Sequence, residues 1–214
     1  MLTQEQIQHN KEEFIAFIRS IKREGANIEG LVNKLENSDF FIAPASSKYH
    51  GAYEGGLCEH SLNVYYNLLK TVQGCKKLDE VCYDEDTLKI VALLHDLSKM
   101  NRYEKSLKNT KVYCEDGNKQ DELGRYKWVT ELGYRTKEDA FLYGNHEQTS
   151  EFMVRTFIPL NLDESVAILH HMGGMAFDSA QDNIGKIFNE YQLALILYLS
   201  DMHTCASAYP YPCQ

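Results

Sequence analysis

The sequence predicts an all-α domain, a helical bundle carrying a small β-hairpin insertion. Two observations predict it. Apolar residues recur at helical spacing along most of the 214-residue chain, and one stretch, "TKVYCEDGNKQDELGRYKWVTELGY", instead alternates β-branched and aromatic residues around turn signals. No internal repeat or low-complexity linker interrupts the pattern. With 43% hydrophobic residues the chain can bury a sizeable core.

The elements follow in order. Thr3 and Gln6 have capping-box spacing, and Ile7, Phe14, Phe17, Ile18 and Ile21 form one apolar stripe ending near Gly25. A second helix is expected over 28–35. "FFIAPASSKYHGAYEGG" is broken by glycines and reads as a loop. Further helices are expected over 57–73, 85–99, 138–157, 163–171 and 184–205, with the β insertion at about 110–135. Asp163 can cap the helix at 163–171, and Gly173-Gly174 can stop it. Residues 1–38 are N-terminal helices packed on the core, 39–207 the main domain, and 208–214 a tail.

Composition narrows the function. The formal charge of −9 argues against binding long nucleic acid, which needs a broad basic face. Charge is uneven, however: residues 99–137 carry a net +4 and the remainder −13, a hint of an anionic ligand near that segment. Six cysteines without CxxC spacing and a polar start, "MLTQEQIQHN", suggest reduced thiols and a cytoplasmic chain. No apolar run reaches the roughly 20 residues a membrane helix needs, so no membrane partner is expected.

"VALLHDLSKM" carries the chemistry. His95 and Asp96 follow directly on an apolar helix, where a buried ionisable group is costly unless paired or bound to a metal. His60 shares a helical face with Val64, and Asp201 sits at helical spacing from Ala194, Leu197 and Tyr198. Polar anomalies on separate helices share one economical explanation, convergence on a metal. Imidazole with carboxylate suits Zn, Mn, Fe or Ni and, less well, Mg. Asp96 has two oxygens able to bridge a pair of ions, and His146 with a member of His170-His171 could complete a second ion. Lys99, three residues after Asp96, could reach a phosphate oxygen or complement a helix terminus. His50 and Tyr53 could line the mouth of a pocket, and Glu147 could orient His146 or simply be solvated. His9 and His203 read as surface or structural histidines.

In order and spacing, "EH", "HDLSK", "NHE", "HHMGG" and "LSDMH" resemble the HD-domain superfamily of metal-dependent phosphohydrolases, over roughly residues 40–207. "APASSKYHGAYEGGLCEHSLNVYYNLLK" is similar to small bacterial and phage members of it. The resemblance implies an HD-domain helical bundle. It implies a first ion on His60, His95, Asp96 and Asp201, and a second on His146 and His171 with Asp96 bridging. His170 stays open as a ligand. By the same resemblance Lys99 contacts substrate phosphate, and a metal-activated hydroxide cleaves a phosphoester in a nucleotide, cyclic nucleotide or short oligonucleotide. Asp96 and Lys99 are the candidate catalytic residues, and Lys99, His50 and Tyr53 the candidate substrate contacts. The "GYP" element of cyclic-di-GMP phosphodiesterases is missing, and there is no room for a separate RNA-binding domain. Two alternatives stand beside the hydrolase: a di-iron oxygenase on the same ligands, and a nucleotide- or metal-binding module without turnover.

Overall fold

A computed structural model describes residues 1–74, 83–141, 143–173 and 183–207. Within these ranges the chain forms α1 (Gln4–Ser20), α2 (Ile28–Glu36), α3 (Gly56–Gly74), α4 (Glu85–Leu94), a 3-10 turn (Leu97–Lys99), β1 (Tyr103–Tyr113), β2 (Lys119–Asp121) and β3 (Gly124–Thr136). These are followed by α5 (His146–Arg155), α6 (Leu162–Leu169), α7 (Ile184–Glu190) and α8 (Gln192–Ser207). The expected tail 208–214 and Cys75, Cys82, Gly174 and Cys213 lie outside the described residues.

The all-α expectation is overturned. The fold is mixed, 53% helical with 14% in strands, because the insertion is a three-stranded antiparallel sheet of order β1-β3-β2 rather than a short hairpin. β1 and β3 stay in register from Tyr103↔Thr136 to Tyr113↔Tyr126, so pairing begins well before residue 110. The sequence signal was weaker there because the extra residues, such as Lys105 and Lys108, are polar. No residue of the three strands is fully buried, and the half-buried side of β1 carries polar residues such as Glu104, Ser106 and Lys108, so no hydrophobic alternation marks it. Lys108 Nζ donates to the Ser47 carbonyl at 2.8 Å and Lys105 pairs with Glu54 at 3.3 Å, tying the sheet to the glycine-broken loop.

The core is helical. α3 lies against α1, α4 and α8, while α6 packs on α4, α5 and α8. Phe14, Phe40 and Phe41 meet in tilted and edge-on contacts beneath α1, and Leu57, Leu68, Ile90, Leu93, Leu94, Leu193 and Leu197 continue the same core. Thr3 and Gln6 form the expected reciprocal cap of α1.

Several boundaries differ from expectation. α1 ends at Ser20 rather than near Gly25. The single helix expected over 184–205 is two, α7 and α8, because Tyr191 leaves the helical region at φ −120° and ψ 83°. α4 stops at Leu94 rather than Lys99, and a tighter 3-10 turn carries Leu97–Lys99. α5 begins at His146 rather than 138: Gly144 has φ +72°, which an α-helix cannot continue through, and Asn145 and Gln148 then cap α5 reciprocally. α6 is capped by Asn161 with Glu164, not by Asp163, which lies one residue inside the helix, and it ends at Leu169.

Candidate metal centre

The ends of helices deliver the site. His95 is the C-cap of α4, and Asp96 leaves the helix with φ −106° and ψ 21°. His146 is the first residue of α5, and His171 follows the end of α6. His60 and Asp201 come from within α3 and α8. All but His146 are buried, and His146 is half-buried.

Two donor groups meet at Asp96. On its Oδ2 side lie His60 Nε2 (3.5 Å) and His95 Nε2 (3.3 Å), themselves 3.3 Å apart. Asp201 Oδ1 closes this group at 3.1 Å from His60 Nε2 and 3.9 Å from His95 Nε2. On the Oδ1 side lie His171 Nε2 (3.6 Å) and His146 Nε2 (3.9 Å). The ligand atoms of His60, His95 and Asp96, and likewise those of Asp96, His146 and His171, lie within 4.8 Å of one another. His171, not its neighbour His170, belongs to this second group. The separations are those of donors surrounding a cation.

The hydrogen bonding fits a cation as well. Asp96 Oδ1, His146 Nε2 and His171 Nε2 are buried atoms with no hydrogen-bond partner, a costly arrangement for acceptors left to themselves. His95 Nδ1 lies 2.8 Å from the Ala92 carbonyl, and His171 Nδ1 lies 2.7 Å from the Ile168 carbonyl. A carbonyl can only accept, so Nδ1 holds the proton in each ring and the Nε2 lone pair faces the cluster. Both carbonyls belong to the last turn of a helix, so each ring satisfies an orphan of its own helix end. The buried His60, His95, Asp96, His146, His171 cluster can hold a metal ion.

The groups perturb one another strongly. Burial opposes ionisation of Asp96, but Lys99, His95, His171 and His60 outweigh it and hold the carboxyl well below its usual range. Asp201 is likewise depressed against its burial, chiefly by His60. Burial would lower His60, yet its contacts with Asp201 and Asp96 raise it, and the negative charge of Asp96, 3.6 Å from His171 Nε2, raises His171 against its burial. Burial lowers His95, and burial followed by repulsion from His171 takes His146 to about 3.

Supporting contacts fix the geometry. Glu147, 1% exposed, accepts from the Met172 N–H at 3.1 Å and from Asn145 Nδ2 at 3.1 Å, so it clamps the start of α5 to the turn carrying His171. Ser150 Oγ accepts from the Ser98 N–H at 3.1 Å and pins the 3-10 turn to α5. Lys99 Nζ donates to Asp96 Oδ2 at 2.6 Å.

A cavity of about 440 Å³ opens above the cluster, walled by Tyr49, His50, Lys99, Arg102, Tyr103, His146, Asp201 and Cys205. His50 also lines a neighbouring groove of about 790 Å³ with Tyr53 and His203. The Tyr53 hydroxyl donates to Glu59, so Tyr53 faces that groove and not the cavity over Asp96. His9 is exposed. The sequence reading missed Arg102, Tyr103, Tyr49 and Cys205. Cys205 had a legible signal, one helical turn from Asp201, and Arg102 had only the basic character of 99–137; Tyr103 had none, because the strand that positions it was expected to start later. No family model, curated protein or solved structure matches the chain.

Proposed function

We propose that the protein is a metal-dependent phosphohydrolase of the HD type that cleaves a phosphoester in a small, nucleotide-like molecule. The observation that carries this reading is the pair of donor groups sharing Asp96 at the base of a cavity walled by two cations and two tyrosines. His60, His95, Asp96 and Asp201 would hold one divalent ion and Asp96, His146 and His171 a second, drawn from Mn, Fe, Ni, Zn or Mg. When bound, such a pair supplies Lewis acidity toward a phosphoryl oxygen and an attacking water.

The remaining work falls to the protein's own groups. Lys99 keeps its charge: burial opposes it, but contact with Asp96 raises its pKa. Its side chain is 12% exposed and lines the cavity, so it can meet a phosphate oxygen while still bonded to Asp96. The Arg102 Nε–H is buried without a partner, and a guanidinium fork matches phosphate geometry. Lys99 and Arg102 together would neutralise charge that grows on phosphate as the bond breaks. Asp96 and Asp201 are too acidic to be strong bases, so they serve mainly to hold ions. Tyr49 and Tyr103 present rings on which a nucleobase can stack. No long nucleic acid or membrane partner is part of this reading; among the described residues no helix is long and apolar enough to cross a membrane.

The test is hydrolysis with each candidate metal against nucleoside mono-, di- and triphosphates, cyclic mono- and dinucleotides, and short RNA and DNA. We expect turnover of one substrate class, lost by roughly 10³-fold or more in Asp96→Ala with the circular dichroism unchanged. Full activity in that variant, or silence across the panel with metal bound, would overturn the reading.

A further inference from the structure

We propose that His50, His60 and Cys205, completed by Asp201, form a separate thiolate-containing site for a soft or borderline divalent cation, Zn²⁺ first. It overlaps the Asp96 centre through His60 and Asp201.

The ligand atoms of His50, His60 and Cys205 lie within 4.8 Å of one another. Cys205 Sγ is 3.5 Å from His50 Nε2 and 3.5 Å from Asp201 Oδ1, and Asp201 Oδ1 is 3.1 Å from His60 Nε2. A tetrahedral zinc with ordinary bond lengths has edges of about 3.5 Å between sulfur and nitrogen and about 3.4 Å between nitrogen and oxygen. The His50–Cys205 and His60–Asp201 edges, 3.5 and 3.1 Å, are therefore within about 0.3 Å of those of the occupied polyhedron. One sulfur, two imidazoles and a carboxylate also form a softer set than the donors around Asp96, which contain no sulfur.

Three independent pieces of backbone bring these donors together. Cys205 stands one turn after Asp201 on α8, and His60 lies on α3, against which α8 packs. His50 is held by its loop: its carbonyl accepts from Ser46 Oγ at 2.8 Å, and the Gly51 carbonyl accepts from the Ala45 and Tyr53 N–H groups. The His50 and His60 rings sit 4.9 Å apart. His50 and Cys205 both line the 440 Å³ cavity, which gives an ion a route in. On coordination the Cys205 thiol would release its proton to solvent. Because His60 and Asp201 serve both arrangements, zinc bound here withdraws two donors from the ion proposed on His60, His95, Asp96 and Asp201. The site would then act as a zinc brake on the Asp96 centre, and it exists whether or not that centre hydrolyses phosphoesters.

The experiment uses the full chain, stripped with chelator and titrated separately with Co²⁺ and Mn²⁺. Cobalt should produce a thiolate-to-metal charge-transfer band in wild type. That band should vanish in Cys205→Ser and His50→Gln, while Mn²⁺ binding, read by electron paramagnetic resonance, persists in both. Asp96→Ala should behave in the opposite way, losing Mn²⁺ and keeping the cobalt band. One equivalent of Co²⁺ that develops the full band should lower the number of Mn²⁺ ions then bound by wild type. A band that survives Cys205→Ser, a wild type without the band, or an Asp96→Ala protein that loses both signals would each overturn the proposal. Circular dichroism of every variant separates these outcomes from misfolding.

Discussion

Glu164 is fully buried, and three residues make four hydrogen bonds to its carboxylate. Arg23 donates twice (3.0 and 2.6 Å), the Thr87 hydroxyl once (2.8 Å) and the Asn161 N–H once (2.9 Å). The network joins the α1–α2 connection to α4 and α6, the two helices whose ends carry His95 and His171. Arg23→Ala should destabilise the fold by about 3 kcal/mol, because removing one partner strands the other charge in the interior. Urea denaturation would report this as a lower midpoint at unchanged slope. Adding Glu164→Gln to that variant should recover part of the loss, since an amide has no charge to strand. Residues of this kind were not legible in the sequence: Arg23 and Glu164 are separated by 141 positions, and each alone reads as a surface charge. His60, His95, Asp96 and Asp201 were legible for the opposite reason. Each is a polar residue on an otherwise apolar helical face, an anomaly visible without coordinates. Cys205 was legible only by its place one turn after Asp201, since a cysteine on an apolar face is no anomaly by itself.

At the level of elements, the ends of helices matter more than their middles. The start of α5 places His146, and it depends on Gly144 at φ +72°, where an added Cβ would meet Gln148 Oε1 at 1.8 Å. That oxygen closes the cap by accepting from the Asn145 N–H at 3.0 Å. Gly144→Ala therefore combines left-handed strain with loss of a cap, for a total of about 2 kcal/mol. His146 should shift with it, so the variant should bind metal at the donor group of Asp96, His146 and His171 more weakly while the donor group of His60, His95 and Asp201 keeps its affinity. Isothermal titration beside a urea melt would separate the two effects. Hydrophobic periodicity revealed that a helix lay between 138 and 157 but not where it started, since the start is set by one glycine's backbone and one amide side chain. The sheet was harder still. Its half-buried side is polar, so its strands carry no hydrophobic alternation, and only the turn and aromatic residues announced it.

Across the whole molecule, the Asp96 centre draws donors from α3, the end of α4, α5, the segment after α6, and α8. An ion bound there links five pieces of the fold that the unfolded chain cannot hold together. At a metal concentration 100-fold above Kd the gain is about 2.7 kcal/mol. For a chain of this size that corresponds to a rise in Tm of roughly 5–10 °C. Differential scanning calorimetry should register the rise with Mn²⁺ or Zn²⁺, reverse it with chelator, and show none with Mn²⁺ in Asp96→Ala. The helical body that gathers these donors was readable from periodicity, whereas the mixed character of the fold was not. Because Asp96 offers one oxygen to each donor group, the two halves of the centre share a single rigid carboxylate plane. An ion that seizes one oxygen orients the other. By thermodynamic reciprocity, whatever factor one bound ion changed the affinity of the other half by, charge repulsion included, a second ion would return to the first.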